Sequence, residues 1–169
     1  VNMLVWREKS FPDYVLVRSK AKIDSIKDFE GHTVGLHPGS AIKAFAKVVF
    51  KHFGANVDKI TMLELDPATM QSAVASGRVD AIYCMDPSAT NLIQSGEARV
   101  LIANPMQYIF QAPVPISGMA LSSKLLQDRS EDAKKIIKAV HKAIEYMREP
   151  GHEDEIADII AKYTPISKD

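Results

Sequence analysis

The turn around Gly39 carries groups that could hold an oxyanion or another small polar ligand head. It follows an apolar strand from Thr33 to Leu36 and precedes an amphipathic run, which predicts a helix capped by the Ser40 hydroxyl. The N–H groups of Ser40 and Ala41 would then face outward at the positive end of the helix dipole. Gly39, Ser40 and Ala41 are therefore candidate ligand contacts. The alternative is an ordinary strand-to-helix turn in which Ser40 caps the helix and binds nothing.

Three other side chains are candidates for the same ligand. His37 directly precedes the turn and could donate a hydrogen bond, or add positive charge below its pKa, although a solvated loop histidine fits the pattern equally. Asp86 ends a second apolar strand and could accept a hydrogen bond from an ammonium or ring N–H group, or could cap its own helix. Ser117 lies on a later strand, where the chain returns toward its first part, and is the third candidate.

The residue pattern indicates neither catalysis nor metal binding. Ser, His and Asp all occur, but there is no nucleophile elbow and no paired-histidine spacing, and the 5 His residues are scattered. The single cysteine, Cys84, excludes an internal disulfide and a cysteine-based zinc site, and its apolar surroundings predict a buried structural thiol. Asp80 is expected to bond neighbouring backbone rather than act as a base. We therefore predict a protein that is not an enzyme and that uses no metal and no cofactor.

The composition is that of an ordinary soluble globular protein. The 169 residues are 46% apolar and 25% charged, which is enough to bury a sizeable core. With 21 Lys and Arg against 21 Asp and Glu, no overall charge favours nucleic acid or an anionic membrane as a partner. No stretch is apolar for long enough to span a bilayer, and no signal peptide is present, although Val1 does not read as a natural start.

Strands and helices alternate along most of the chain. Apolar runs predict strands at Met3–Trp6, Tyr14–Arg18, Thr33–Leu36, Ile60–Leu65, Val79–Met85, Arg99–Ala103 and Ile116–Leu121. Such alternation with short connections is typical of a parallel sheet that is covered on both faces. Ligands of these sheets bind at the edge where the carboxyl ends of the strands meet. Gly39 and Asp86 would both lie at that edge.

The last third of the chain is predicted to be helical. Ser130 is expected to cap a long helix that ends at Pro150 and Gly151. A second helix is expected from Glu153 to Tyr163, and its apolar residues should face inward: Ile156, Ile159 and Ile160.

Several segments match a recurring family pattern in their order and spacing: Tyr14–Arg18, Ile26–Gly35, Ala73–Ala81 and Ala161–Thr164. On these segments the chain resembles the periplasmic solute-binding proteins of ABC importers, in the nitrate, sulfonate, taurine and thiamine-precursor (NMT1/THI5-like) group. An Asp-Pro pair at Asp86 stands where that family usually has Glu-Pro, which shortens the reach of the carboxylate. The resemblance covers nearly the whole chain.

The resemblance implies an α/β fold of the type II periplasmic-binding-protein kind, with two doubly wound α/β lobes of which the first is incomplete here. Residues 1–18 and 113–169 would form part of lobe I together with the crossovers, and residues 19–112 would form lobe II. The family's N-terminal part would be missing from this chain, and with it half of the ligand contacts. The ligand would lie in the cleft between the lobes.

The function that the resemblance implies is extracytoplasmic capture of a small solute for the membrane permease of an ABC importer. The solute would be a sulfonate, nitrate, taurine or a pyrimidine-like compound. Such a protein would be a periplasmic or extracellular monomer without nucleic-acid partners, held by a lipid anchor in a Gram-positive or archaeal source. Two alternatives share the fold. One is a biosynthetic enzyme of the thiamine-pyrimidine type, against which the lone Cys84 argues, and the other is the effector-binding domain of a transcription regulator, which a helix-turn-helix ahead of Val1 would favour.

Overall fold

A computed structural model describes residues 3–8, 12–110 and 114–163 of the chain. The chain divides into two compact units. We call unit 1 the part formed by Val1–Trp6 and Ser117–Asp169, and unit 2 the part formed by Arg7–Ile116. The division into lobes at residues 18/19 and 112/113 stays a prediction.

The strands and helices follow the predicted order closely. The strands are β1 (Met3–Glu8), β2 (Asp13–Arg18), β3 (Thr33–Leu36), β4 (Thr61–Glu64), β5 (Ala81–Met85), β6 (Ala98–Ala103) and β7 (Val114–Ala120). The α-helices are α1 (Ser40–His52), α2 (Pro67–Ala75), α3 (Ser88–Gln94), α4 (Ser123–Asp128), α5 (Ser130–Arg148) and α6 (Glu153–Tyr163). Short 3-10 helices occupy Ile26–Phe29, Val57–Lys59 and Pro105–Tyr108.

The five-stranded sheet of unit 2 is mixed rather than parallel throughout, which corrects the sequence prediction. Its strand order is β4-β3-β5-β2-β6. Strand β3 lies parallel to β4 and β5, whereas β2 runs antiparallel to β5 and β6. Val15, Leu16 and Val17 of β2 have no exposed surface, so this strand is buried on both faces. A continuous apolar run indicates such burial but not the direction of the strand, and the sequence therefore did not reveal it.

Each face of this sheet is covered by its own apolar cluster. On one face the aromatic rings of Phe29, Phe50 and Tyr83 meet edge to face, with centroids 5.3 and 6.2 Å apart. The other face is packed by residues of α2 and α3 together with Leu16 and Ile82. Burying each such side chain stabilises the fold by about 1.5–3 kcal/mol. The two clusters fix the position of the strand ends that are described below.

Gly35 in β3 lets the second face pack closely against the strand. A Cβ atom on Gly35 would lie 2.8 Å from Cδ1 of Leu65 and 2.9 Å from Cδ1 of Ile82. A side chain at this position would therefore make the ends of both neighbouring side chains shift.

The structure confirms one predicted helix start and corrects another. Asp66 caps α2 by accepting a hydrogen bond from the N–H of Ala68 at 2.9 Å, with Pro67 at the first helical position, as the sequence predicted. Ser130 does not cap α5: it is the first helical residue, and its side chain makes no capping bond. The physical reason is that the short helix α4, which was not predicted, ends at Asp128 and delivers the chain to α5 through the single residue Arg129.

Unit 1 contains residues 3–6 of β1, residues 117–120 of its partner strand β7, and the helices α4, α5 and α6. Helix α6 has the predicted bounds, but the prediction that all its apolar residues face inward was wrong. Ile159 and Ile160 are 46% and 41% exposed. They line a groove of about 450 Å³ between α5 and α6, because two helices alone leave part of their shared apolar face uncovered. Among the described residues, no helix is both long enough and apolar enough to cross a bilayer.

A cluster of charged and polar groups links the last residue of β2 to the first residues of β3 and β5. The Asp80 carboxylate accepts hydrogen bonds from Arg18 Nη2 at 3.3 Å and from the Thr33 N–H at 3.4 Å, and it lies 2.9 Å from His32 Nδ1. The bond to backbone was predicted, and the Arg18 guanidinium and the His32 ring add to it. Burial raises the pKa of Asp80, but the bonds from His32, Thr33 and Arg18 together lower it below the ordinary value.

Replacing Asp80 by Asn is expected to destabilise unit 2 by about 2 kcal/mol at neutral pH, because hydrogen bonds to a charged group are lost. A carboxylate with a lowered pKa stabilises the fold above the pKa of the unfolded chain and loses that effect as the pH falls. The difference between wild type and Asp80→Asn, measured by urea unfolding, should therefore shrink below about pH 4.

The matched control is Asp24→Asn, since Asp24 pairs with Arg99 while 92% exposed. It should leave the unfolding midpoint unchanged. Equal effects of both substitutions, or an Asp80 effect that persists unchanged in acid, would contradict this account.

Candidate functional site

Strands β3, β4, β5 and β6 run in the same direction, so their carboxyl ends meet at one edge of the sheet. We call this the carboxyl edge. The antiparallel strand β2 begins there, with Asp13 opposite Met85 and Tyr14 opposite Ala103. The turns that contain Gly39 and Asp86 both follow strands that end at this edge, as the sequence predicted. Ligands of open α/β sheets bind outside such an edge.

The turn before α1 differs from the prediction at its capping residue. Gly39, with φ 126°, occupies the N-cap position, Ser40 is the first helical residue, and no side chain caps the helix. The positive φ explains why: glycine takes this backbone conformation without steric cost, whereas a side chain there would be strained. Ser40 therefore keeps its hydroxyl available for another partner.

The first turn of α1 leaves backbone donors at an exposed surface. Gly39, Ser40 and Ala41 are all exposed. The N–H groups of the first helical turn have no partner within a helix, and here no side-chain cap replaces one. The first turn also contains no acidic residue that would compensate the positive end of the dipole. These features together suit an anion or a polar group with acceptor oxygens.

His37 lies beside this turn and is half-buried. Its Nε2 atom is buried and has no hydrogen-bond partner among the described residues. Burial lowers the pKa of His37, because desolvation disfavours the imidazolium. Of the two roles predicted for His37, the structure therefore favours a neutral hydrogen-bonding group over a positive charge.

Asp86 is exposed at the same edge and is held by its own helix. Its Oδ1 atom accepts hydrogen bonds from the N–H of Thr90 at 3.1 Å and from the Thr90 hydroxyl at 2.7 Å. The capping alternative therefore describes contacts that are present, and the carboxylate keeps capacity for another donor. The hydroxyl of Tyr14 lies close enough to Asp86 for the carboxylate to raise its pKa, chiefly through charge repulsion.

Two residues at this edge were missed by sequence reasoning, Asp13 and Tyr14. Asp13 has no exposed surface, and the Tyr83 hydroxyl donates a 2.7 Å hydrogen bond to its Oδ2 atom. The signal that could have found both residues is their position at the head of a buried strand. Only the direction of β2, which the sequence left open, places them at the carboxyl edge rather than at the opposite one.

The remaining predicted residues lie elsewhere. Ser117 belongs to β7 at the start of the second segment of unit 1, and its side chain lies outside the part described. Cys84 is buried as predicted, and burial raises the pKa of its thiol to about 12, so it is not a nucleophile at neutral pH. No group of His, Cys, Asp and Glu side chains within residues 3–8, 12–110 and 114–163 is arranged to hold a metal ion.

The chain belongs to the family described as NMT1/THI5 like, whose profile matches residues 8–153. This membership agrees with the resemblance that the sequence segments predicted.

Relatives of known structure share the fold. The alkanesulfonate-binding protein SsuA from Xanthomonas axonopodis pv. citri, solved bound to MOPS, gives a TM-score of 0.76 at 20% identity over 98% of this chain and 55% of that chain. The periplasmic nitrate-binding protein NrtA from Synechocystis PCC 6803 gives 0.74 at 12% identity over 95% of this chain and 45% of that chain. The periplasmic-binding-protein fold is therefore confirmed.

The curated relatives are matched at similarly low identity. A Brucella abortus (strain 2308) protein named "Putative binding protein" is 22% identical over 158 residues, which are 94% of this chain and 48% of the relative. The chain therefore spans about half the length of the curated relatives that it matches.

In the folded protein, the pKa of His37 should lie below the ordinary value of 6.5, because burial desolvates its ring. The midpoint can be measured from the ring Cε1–H resonance by NMR. Since the unfolded chain binds the proton more readily, His37 should destabilise the fold as the pH falls through 6.5. A His37 midpoint above 6.5 would show that an unseen anionic group faces the ring.

Proposed function

We propose that the protein is the solute-binding component of an ABC importer and that it holds a small oxyanion-bearing solute at the carboxyl edge of unit 2. The observation that carries the proposal is the start of α1, where exposed backbone donors have neither a side-chain cap nor an acidic neighbour. Membership of the family supports it. So do the printed ligands of two relatives, an alkanesulfonate and nitrate, which are both oxyanions.

The binding chemistry follows from the turn itself. Oxygen atoms of the solute would accept hydrogen bonds from the N–H groups of Ser40 and Ala41 and from the Ser40 hydroxyl. The positive end of the α1 dipole would add about 0.3–1 kcal/mol. Each hydrogen bond to a charged acceptor would contribute about 1.5–3 kcal/mol. Neutral His37 would border the site without bringing a charge that must be compensated when the site is empty.

The other predicted contacts would recognise the rest of the solute. Asp86, already held by Thr90, would accept a hydrogen bond from an N–H group of the solute. Tyr14 lies beside it and would limit the size of that group. Ser117 of β7 is kept as a proposed contact of the solute. A solute with both an oxyanion and an N–H group would satisfy both the donors at the start of α1 and the Asp86 carboxylate.

The physiological setting follows from the same proposal. The protein would work in the periplasm or at the cell surface as a monomer and deliver its solute to the membrane permease of the importer. It would perform no chemistry on the solute and would need no cofactor. The buried thiol of Cys84 supports this view, because the lone cysteine could not serve as a nucleophile in its present surroundings.

Titration with sodium ethanesulfonate and sodium nitrate tests the proposal by isothermal calorimetry and by thermal shift. A bound solute at a hundredfold excess over its dissociation constant should stabilise the protein by about 2.7 kcal/mol. Choline chloride at equal ionic strength controls for a general salt effect. Absence of heat and of stabilisation with both anions in the millimolar range would contradict an oxyanion site.

Two substitutions at one position separate the hydroxyl from the backbone donor. Ser40→Ala removes the hydroxyl alone, whereas Ser40→Pro also removes the N–H group at a helical position where proline is well tolerated. Both variants should unfold at nearly the wild-type temperature, since Ser40 caps nothing. Affinity should fall modestly in Ser40→Ala and by a further tenfold or so in Ser40→Pro. Equal affinities of Ser40→Pro and wild type would exclude this helix start as the site.

A further inference from the structure

The buried carboxyl group of Asp13 is not explained by the proposed solute site. Asp13 has no exposed surface, and its hydrogen bond with Tyr83 places it beside the apolar cluster that α1 covers. The Tyr83 hydroxyl donates to Oδ2 at 2.7 Å. The other oxygen, Oδ1, has no hydrogen-bond partner of normal geometry among the described residues. A buried carboxylate with a single neutral donor is costly in its charged form.

No positive charge compensates this carboxyl group in the described part of the chain. The titratable group that faces it is the Tyr83 hydroxyl, and the Cys84 thiol of β5 lies on the other face of the sheet; both are neutral at physiological pH. Helix α1 presents the Phe50 ring to Tyr83, and the segment after β6 presents Met106. Burial raises the pKa of Asp13 to about 6, although the bond from Tyr83 and the nearby N–H groups of Met106 and of Asp13 itself lower it.

Asp13 also holds the segment Asn104–Phe110, which leaves the sheet after β6. The backbone carbonyl of Asp13 accepts a 2.7 Å hydrogen bond from the N–H of Asn104. Asn104 has φ 51°, a left-handed conformation that is uncommon outside glycine. The segment then turns on Met106, whose carbonyl accepts from Ile109 and Phe110 at 3.1 and 2.9 Å. Both the backbone and the side chain of Asp13 therefore contact the start of this segment.

We propose that burial of Asp13 makes the packing of the segment Asn104–Phe110 proton-dependent: the segment lies against the sheet when the carboxyl group is protonated and loosens when it ionises. The N–H of Met106 alone would favour the ionised form, but the cost of burying the charge acts in the opposite direction and is the larger effect. The ionised carboxylate is stabilised when the segment moves away, because water then reaches Oδ1. This device lies at the carboxyl edge but does not depend on the identity of the solute, and it stands if the oxyanion proposal fails.

The size of the effect follows from proton linkage. In the closed form the pKa of Asp13 is about 6, and in an open, hydrated form it returns to the ordinary 3.8. The open form therefore binds fewer protons than the closed form at pH values between these two pKa values, so opening becomes more favourable as the pH rises. Between pH 5 and pH 7.5 the opening equilibrium should shift by about tenfold.

Amide hydrogen exchange, corrected for the intrinsic exchange rate at each pH, measures this opening directly. The amides of Asn104, Gln107 and Phe110 should lose about tenfold in protection between pH 5 and pH 7.5 in the wild-type protein. Asp13→Asn keeps an acceptor oxygen for Tyr83 but cannot ionise, so its protection should be independent of pH. Asp58→Asn, which alters an exposed carboxylate elsewhere in unit 2, should retain the wild-type dependence.

Two results would overturn the proposal. In one, segment protection does not change with pH in the wild-type protein. In the other, the amides of β3 and β5 lose protection by the same factor, which would mean that Asp13 affects only global stability. Should Asp13→Asn fail to fold, the carboxyl ¹³C resonance of Asp13 in the wild-type protein decides instead. A titration midpoint near 6 supports the proposed role of Asp13, and one below 4 contradicts it.

Discussion

The insertion of β2 between β5 and β6, antiparallel to both, is the constraint on which the rest of unit 2 depends. Three consecutive residues of this strand, Val15 to Val17, are fully buried and contribute to both apolar clusters. Reversing the strand direction relative to its neighbours brings its first residues to the edge where the other strands end. Asp13 and Tyr14 therefore lie at the same edge as the start of α1. A parallel β2 would place Arg18 there instead.

The carboxyl edge combines two kinds of polar group with different energetic demands. At the start of α1 the donors are backbone N–H groups, which are exposed and lose little if water replaces a ligand. At Asp13 the acceptor is buried, and its Oδ1 atom is unpaired among the described residues, so it is destabilised whenever it is charged. The first arrangement suits reversible capture of an oxyanion, and the second suits a response to protonation. His37 resembles the second, because its buried Nε2 disfavours a charged ring.

Much of this arrangement could be predicted from local signals. The Thr33–Leu36 strand, the Asp66 cap with Pro67 behind it and the bounds of α6 follow from apolar period, capping chemistry and Pro-Gly stops. The Gly39 cap could not be predicted, because capping rules favour a side-chain oxygen and so point to Ser40, whereas the backbone at Gly39 has a positive φ.

Other features depend on contacts that a single sequence does not record. An apolar run such as Val15–Val17 is equally consistent with either strand direction. The inward orientation expected for Ile159 and Ile160 presumed a covering element, and among the described residues these side chains line a groove instead. The roles of Asp86 and Ser117 toward a solute remain proposals for the same reason, since they depend on a partner molecule rather than on the chain.

The most direct test of the central claim, that the start of α1 binds an oxyanion, is a titration of ¹⁵N-labelled protein with sodium ethanesulfonate followed by two-dimensional NMR. We expect saturable shifts that are largest for the amides of Ser40, Ala41 and Ile42, with smaller shifts at His37. A parallel titration with sodium chloride gives the general salt effect, which is subtracted. Saturable shifts centred on another part of the chain, or no shifts beyond the salt effect, would contradict an oxyanion site at the start of α1.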